Sequence, residues 1–212
     1  LETASHCFAE DGDWTDGWIA FRETWRFDRH DLSPDSRVRL RALIDHLAPT
    51  DILGQAQAYV RRPTWDVADG EEDDPSSAFK NVEQIAQDIG HQLVATPEQL
   101  REFLPEAVTA QAAGNLIAFS RAMALGAPDL RETWNDLIEA FRNAPEDARQ
   151  PNLLGPFLGD AAGRDRAFAE TVLDEAFNDP ALAPHLPYLQ GWVGYDEAGW
   201  QRLQTLARSG TV

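Results

Sequence analysis

Proline follows directly after a good helix-capping residue at four points of this chain. The four pairs are Ser33-Pro34, Asp74-Pro75, Thr96-Pro97 and Asp179-Pro180. The short oxygen-bearing side chain can accept a hydrogen bond from an unpaired backbone N–H, and proline already has the φ angle that a first helical residue needs. Each pair therefore predicts the start of a helix, and together they predict a series of short helices with sharp ends.

Apolar residues at helical spacing follow most of these starts. The spacing predicts helices over residues 13–27, 34–48, 51–62, 75–95, 97–104, 116–125, 129–141, 151–158, 164–177, 180–189 and 195–208. At one start, Thr96 and Gln99 have the spacing of a capping box, in which each side chain satisfies a backbone N–H at the other position. No segment has the sustained alternation of a β-strand.

The fold class that follows is all-α. Short loops between successive helices imply that neighbouring helices are antiparallel. Two architectures remain open: hairpins stacked as an α-solenoid of the HEAT or TPR kind, and an irregular helical bundle. We expect residues 1–12 to be a lead-in and residues 13–212 to form a single helical domain. An acidic stretch at 63–74 lacks periodicity, which predicts a loop or hinge between 13–62 and 75–212.

The charge of the chain limits its partners. With 36 acidic and 18 basic residues the formal net charge is −18, so nucleic acid phosphates and anionic membrane surfaces repel it. No apolar run approaches the roughly 18 residues that a membrane span needs. We therefore predict a protein partner or neighbouring domains of the same polypeptide, with no nucleic acid and no membrane.

The cellular setting is predicted from a few residue counts. Cys7 is the only cysteine, so an internal disulfide is impossible, which is consistent with the cytoplasm. Lys80 is the only lysine among the basic residues, and this preference for arginine suggests a bacterial source. Because Met123 is the only methionine, we expect the chain to be a piece of a longer protein or a processed product.

The most unusual local pattern lies in the first predicted helix, where aromatic and arginine side chains recur at helical steps. The aromatic residues are Trp14, Trp18, Phe21 and Trp25, and the arginines beside them are Arg22, Arg26 and Arg29. One interpretation is a surface that grips an acidic partner or stacks on a ligand. The alternative is a core seam whose margin the arginines cover. The predicted binding residues are Trp14, Trp18, Arg22, Arg26 and Arg29.

A weaker pattern suggests metal chemistry. The doublet His30-Asp31 resembles the His-Asp doublet of helical metal-dependent phosphohydrolases, and His6 lies upstream as a further possible ligand. No nucleophile elbow, phosphate-binding glycine loop or dinucleotide fingerprint is present in the sequence. We therefore predict no catalytic residue, no metal site and no cofactor, and keep a metal-dependent hydrolase centred on His30 and Asp31 as an alternative.

Three stretches resemble the C-terminal helical region of large multidomain bacterial proteins of the STAND (signal-transducing ATPase) type. They are RLRALIDHLAPTDIL at 39–53, APEDARQPN at 144–152 and LDEAFNDP at 173–180. In such proteins the helical array senses a ligand or partner, while a separate nucleotide-binding module does the work. The resemblance implies a sensor-like helical region and implies no ATP-binding residue in this chain.

The sequence thus predicts a non-catalytic helical module for recognition or scaffolding within a larger bacterial multidomain protein. Binding would depend on surface complementarity and a few aromatic or arginine anchors. The alternatives are the metal-dependent hydrolase and a purely structural spacer. The spacer is favoured if the aromatic residues of the first helix are buried and no concave surface remains.

Overall fold

The structure is a computed structural model, and it describes residues 15–68, 75–111 and 113–209. These residues form twelve α-helices and one short 3₁₀-helix, with no strand among them, so the all-α prediction is confirmed. The first six helices are α1 (Thr15–Asp28), α2 (Pro34–Leu47), α3 (Ile52–Tyr59), α4 (Thr64–Val67), α5 (Pro75–Val94) and α6 (Pro97–Ala107). The others are α7 (Ala113–Gly126), α8 (Leu130–Asn143), α9 (Leu154–Arg164), α10 (Arg166–Phe177), α11 (Leu186–Val193) and α12 (Glu197–Ser209), with the 3₁₀-helix at Ala183–His185.

Side-chain caps begin several of these helices where the sequence predicts them. The Ser33 hydroxyl accepts a hydrogen bond from the Ser36 N–H at the start of α2. Asp129 begins α8 by accepting from the N–H groups of Arg131 and Glu132, at 2.8 and 3.0 Å. These short oxygen acceptors satisfy N–H groups that have no partner inside the helix, which explains the sharp helix starts.

The capping box at Thr96 is a wrong prediction, although α6 does begin at Pro97. The Thr96 hydroxyl donates to the Gln92 carbonyl at 3.1 Å and makes no cap hydrogen bond to α6. Only one residue separates Thr96 from the end of α5, so the carbonyls of that helix end are closer to its hydroxyl than the N–H groups of the next helix. The side chain therefore closes α5 and leaves α6 uncapped at this position.

The Asp179-Pro180 pair is a second wrong prediction, because it begins a turn and no α-helix. The Asp179 carboxylate accepts from the Ala181 N–H at 2.8 Å, which closes a tight turn two residues ahead. An α-helix from Pro180 would need an N–H at Pro184, and proline has none. The chain instead passes through the 3₁₀-helix and begins α11 at Leu186.

The predicted loop at 63–74 also differs from the structure in its first half. Residues Thr64–Val67 form the short helix α4, and Val67 and Ala68 are buried at 2% and 5% exposure. A single helical turn is too short to show periodicity in a sequence, which is why the pattern indicates a loop there. Residues 69–74, the most acidic part of this stretch, lie outside the described residues.

Alternate helices contact one another along the second part of the chain. Helices α5, α7, α9 and α11 form one row in which each packs on the next, while α6 packs on α8 and α10 packs on α12. Hairpins stacked side by side produce this alternation, because each hairpin places one helix in each row. Helices α1, α2 and α4 lie at the α3 and α5 end of the stack.

Two apolar clusters form the core. The larger one spans α3 and α5 to α12, and contains fully buried aromatic residues such as Trp134, Phe141 and Phe157. The smaller one joins α1, α2 and α4 to the first half of α5 through Ala78 and Val82. None of the described helices is both long and apolar enough to cross a membrane.

Arginine side chains link alternate helices of the chain. The pairs, with their shortest N–O distances, are Arg101–Asp136 at 2.9 Å, Arg121–Asp160 at 2.8 Å, Arg131–Glu175 at 2.6 Å and Arg202–Asp174 at 2.7 Å. The planar guanidinium offers several donors in fixed directions, which suits it to bridge two helices. These contacts give the preference for arginine over lysine a structural use.

Candidate functional site

The aromatic residue at the centre of the predicted binding surface is buried. Trp18 is 1% exposed and packs edge-on against Tyr59, with ring centroids 5.7 Å apart. The Arg22 guanidinium lies 4.7 Å from the centre of the Trp18 ring and donates to the Val67 carbonyl at 2.6 Å. Trp18 is therefore a core residue, as the alternative interpretation of this stripe expected, while Trp14 lies outside the described residues.

The arginines of this stripe hold α1 against the end of α4. Arg26 donates to the Ala68 carbonyl at 2.8 Å, one residue beyond the carbonyl that Arg22 binds. Carbonyls at a helix C-terminus have no partner within the helix and carry partial negative charge, so cations stabilise them. Only about 10 Å³ of space remains between Arg22, Trp25 and Arg26. Arg29 is half-buried near the end of α1, and binding at this surface stays a prediction.

The His30-Asp31 doublet lies exposed in the turn between α1 and α2. Among the residues that the structure describes, no group of three or more His, Cys, Asp or Glu side chains is placed to hold a metal ion. His6, the further ligand considered from the sequence, lies outside them.

A larger groove opens between α4, the start of α5 and the start of α7. Its volume is about 790 Å³, the largest of the grooves described here. We call it the aromatic–arginine groove after four of its lining residues, Arg61, Arg62, Trp65 and Phe79. Gln111 and Asn115 also line it.

A buried asparagine positions one wall of this groove. Asn115 is 2% exposed, and its Nδ2 donates to the Arg62 carbonyl at 3.1 Å. The Thr64 hydroxyl donates to the Asn115 Oδ1 at 2.7 Å. The Arg62 carbonyl and the Thr64 hydroxyl satisfy both polar ends of the amide. The bend of the chain from α3 into α4 is therefore held in one position against α7.

Two aromatic side chains of the groove lie open to solvent. Trp65 is 62% exposed and Phe79 is 45% exposed, although most large apolar side chains of the described chain are buried. Exposed aromatic residues in a concave site can bury a large apolar area when a ligand binds, at a small loss of side-chain entropy.

The two arginines of the groove are held by weak, exchangeable ion pairs. Arg61 pairs with Glu106, with Nη1 and Oε2 2.5 Å apart, and Arg62 pairs with Asp16. Both arginine side chains are about 40% exposed, at 42% and 38%. Exposed pairs of this kind contribute about 0–1 kcal/mol, so a ligand carboxylate can compete for the guanidinium groups.

The described lining of this groove combines aromatic and polar side chains. Its described lining has no histidine, cysteine, lysine or carboxylate, the groups that proteins most often use for acid–base, nucleophilic or metal chemistry. What it offers are two aromatic faces, two guanidinium groups and the amide of Gln111. This set can hold an apolar side chain and a carboxylate next to each other.

Sequence reasoning missed this groove because its residues are far apart along the chain. Trp65 lies in the stretch at 63–74 that the sequence predicts as a loop, and Phe79 lies in the predicted helix at 75–95. One local pattern could have pointed to it: Arg61-Arg62-Pro63-Thr64-Trp65 joins two arginines to a tryptophan immediately before the most acidic stretch.

Two further grooves lie between α8 and α10 and between α10 and α12. The one between α8 and α10, of about 570 Å³, has Trp134 and Val172 in its lining, with Arg142 and Asp179 paired at its edge. Burial alone would raise the pKa of Asp179, but the hydrogen bonds from Arg142 and the Ala181 N–H outweigh it, so that pKa lies below its ordinary value. The other groove, of about 610 Å³ between α10 and α12, surrounds Arg202.

Comparison with known proteins identifies no relative of this chain: no family model matches it, and neither a curated protein nor a solved structure matches it. The functional interpretation therefore depends on the geometry described above.

Proposed function

We propose that this chain is a non-catalytic helical recognition module, and that the aromatic–arginine groove binds a short protein segment carrying an apolar side chain next to a carboxylate. The observation that supports this proposal is the presence of two exposed aromatic rings and two guanidinium groups around one concave volume of about 790 Å³. Grooves that bind ligands have about this volume and the same mixture of apolar walls and few polar groups.

The net charge of the chain limits the ligand further. At −18 the protein repels a strongly acidic partner at long range, although the groove itself carries two arginines. A segment with one or two carboxylates among apolar residues satisfies both conditions. Its carboxylate would replace Glu106 or Asp16 on a guanidinium, and its apolar side chain would cover Trp65 and Phe79.

The wider context remains the one that the sequence predicts. A module of this kind would act as the sensing or scaffolding part of a larger bacterial protein, in keeping with the resemblance to the helical region of STAND-type proteins. The surface around Arg22, Arg26 and Arg29 is the second binding surface under this proposal, and neighbouring domains of the same polypeptide are possible partners.

A displayed library of random peptides tests the proposal without a known partner. We expect the chain to select peptides with an aromatic or aliphatic residue beside Asp or Glu, and we expect Trp65→Ala to weaken the binding of a selected peptide at least about tenfold. Trp65 is 62% exposed, so this substitution should change the free energy of unfolding by less than about 0.5 kcal/mol. Trp200→Ala is the matched control, since it removes an exposed tryptophan from the opposite end of the stack.

A second variant separates the arginine contribution from the aromatic one. We expect Arg62→Ala to weaken a carboxylate-bearing peptide but not its amide analogue, because only the charged form gains from the guanidinium. Failure to select any peptide, or selected peptides that bind the Trp65→Ala variant equally well, would contradict the proposal and favour the structural spacer.

A further inference from the structure

The last helix, α12, packs against the rest of the stack through one side only. Gly199, Arg202 and Leu206 are buried, and Arg202 joins α12 to both α10 and α11. Ala198 and Thr205, on the flank next to these residues, line the groove that faces α10. The contacts of α12 with its neighbours therefore come from the buried residues and this flank.

The opposite flank of α12 carries apolar residues that face solvent. At 3.6 residues per turn, Trp200 and Ala207 lie two turns apart on nearly the same line, with Leu203 between them, and Ala198 and Thr205 point the other way. Trp200 is 53% exposed, Leu203 is half-buried and Ala207 is exposed. We call Trp200, Leu203 and Ala207 the α12 face.

The large ring on this face is held in place before any partner arrives. Trp200 stacks on Tyr195 with centroids 5.2 Å apart and planes inclined by 27°, and Tyr195 is itself 52% exposed. The Tyr195 hydroxyl lies close to Gly191 of α11, where a Cβ atom would be 3.1 Å from it. Because this stacking already limits the ring, an interaction with Trp200 would lose little side-chain entropy.

Charged residues at the two ends of α12 complement each other. Glu197 in the first turn and Arg208 in the last turn are both exposed, and they lie about three turns apart on one line beside the α12 face. If two copies of α12 lie antiparallel, Glu197 of each copy faces Arg208 of the other. The same arrangement places the large Trp200 side chain of each copy over the small Ala207 of the other, so that the two surfaces are complementary in shape.

We propose that the α12 face is a self-association surface, and that it pairs antiparallel with the same face of a second copy of this chain. The interface is isologous, so it closes at two copies and does not extend into a filament. The area is small and each copy carries a charge of −18, so we expect a weak dimer, with a dissociation constant on the order of 10 µM or higher. This inference does not depend on the proposed function, because the groove and the α12 face lie on separate helices.

Sedimentation velocity over the micromolar to near-millimolar range tests this proposal. We expect the wild type to pass from monomer to dimer and Trp200→Ala to raise the dissociation constant at least about tenfold. Ala207→Lys tests the same face with a charged side chain, and it should block the dimer. Ala207 is exposed and lysine is a good helix former, so the circular dichroism spectrum should stay unchanged. Trp65→Ala should leave the dimer intact.

Charge exchange tests the antiparallel arrangement itself. Glu197→Arg and Arg208→Glu should each weaken the homodimer, because like charges then meet at both ends of the interface. A mixture of these two variants should associate, since one then carries two arginines and the other two glutamates along the interface. A wild type that stays monomeric throughout the range would overturn the proposal, and so would a mixture that associates no better than either variant alone.

Discussion

The buried guanidinium of Arg202 binds one carboxylate oxygen of Asp174 with two of its nitrogens, Nε at 2.9 Å and Nη2 at 2.7 Å. Nη2 also donates to Glu170, and Nη1 donates to Gln190 at 2.6 Å. Burial alone would lower the pKa of Arg202, but the hydrogen bonds to Asp174 and Glu170 outweigh it, so that pKa lies above its ordinary value. A single side chain thus connects α12 to α10 and α11.

Truncation of Arg202 should therefore destabilise the fold much more than truncation of an exposed arginine. We expect Arg202→Ala to reduce the free energy of unfolding by about 3 kcal/mol, because Glu170 and Gln190 would lose their buried partner. Arg101→Ala is the matched control: it removes the pairs with Asp136 and Glu132, but its side chain is 50% exposed, so the loss of stability should be much smaller than for Arg202→Ala. Urea denaturation measures both, and equal losses would contradict the role assigned to Arg202.

Gly155 allows α9 and α11 to approach closely. A Cβ atom at this position would lie 2.3 Å from Trp192 Cδ1 and 2.6 Å from Tyr188 Cε1. We expect Gly155→Ala to push the Trp192 ring outward, to lower stability by about 1–2 kcal/mol and to increase acrylamide quenching of tryptophan fluorescence. Gly163→Ala in the same helix is the control, because a Cβ there meets nothing within 4 Å. That substitution should raise stability by up to about 1 kcal/mol through helix propensity.

The two arginines of α1 should contribute to stability, whatever they do in binding. Arg22 and Arg26 donate to the carbonyls of Val67 and Ala68. We expect alanine at either position to lower the free energy of unfolding by about 1–2 kcal/mol, because a carbonyl near a helix end then loses a charged donor. The exposed Arg39 on α2 is the control, and its alanine variant should stay within about 0.5 kcal/mol. If both α1 variants keep the thermal midpoint of the wild type, the structural role is wrong, and the result would instead favour a binding role for these arginines.

Mild acid should weaken the fold through His185. Its ring packs edge-on against Phe141, and burial, with a smaller effect of the Arg149 charge, lowers its pKa below the ordinary value of 6.5. The unfolded chain therefore takes up this proton first, so the stabilisation is complete above pH 6.5 and is lost as the pH falls below it. Asp179, whose pKa lies below 3.8, loses its contribution only in stronger acid.

Denaturation at a series of pH values separates these two ranges. We expect the stability of His185→Gln to stay constant just below pH 6.5. His30→Gln, which changes an exposed residue in a turn, should lose stability in that range as the wild type does. A wild-type free energy of unfolding that stays constant from pH 6.5 to pH 5 would rule out this role for His185.

Local patterns predicted the helices well where all their causes lie within one or two turns. In α8 the cap at Asp129 and the buried positions Trp134, Leu137 and Phe141 agree with the spacing in the sequence. At Thr96 and Asp179 the same reasoning was wrong, because each side chain had another group within reach. Thr96 lies next to the carbonyls of α5, and the Asp179 carboxylate accepts from the Ala181 N–H in a tight turn.

Which aromatic residues stay exposed could not be predicted from spacing. Trp18 belongs to a regular stripe and is buried, whereas Trp65 belongs to a helix of one turn and is open to solvent. Helical spacing locates a side of a helix, but it does not tell what covers that side.

The sequence by itself determined the all-α class, most helix starts and the acidic character of the chain, because caps, prolines and apolar spacing act between residues a few positions apart. Only the tertiary structure decided the candidate site. Trp65, Phe79 and Asn115 meet there from three helical regions, and Asn115 positions the bend through hydrogen bonds to the Arg62 carbonyl and the Thr64 hydroxyl. Such contacts depend on how helices distant in sequence pack together, and no short-range pattern contains that information.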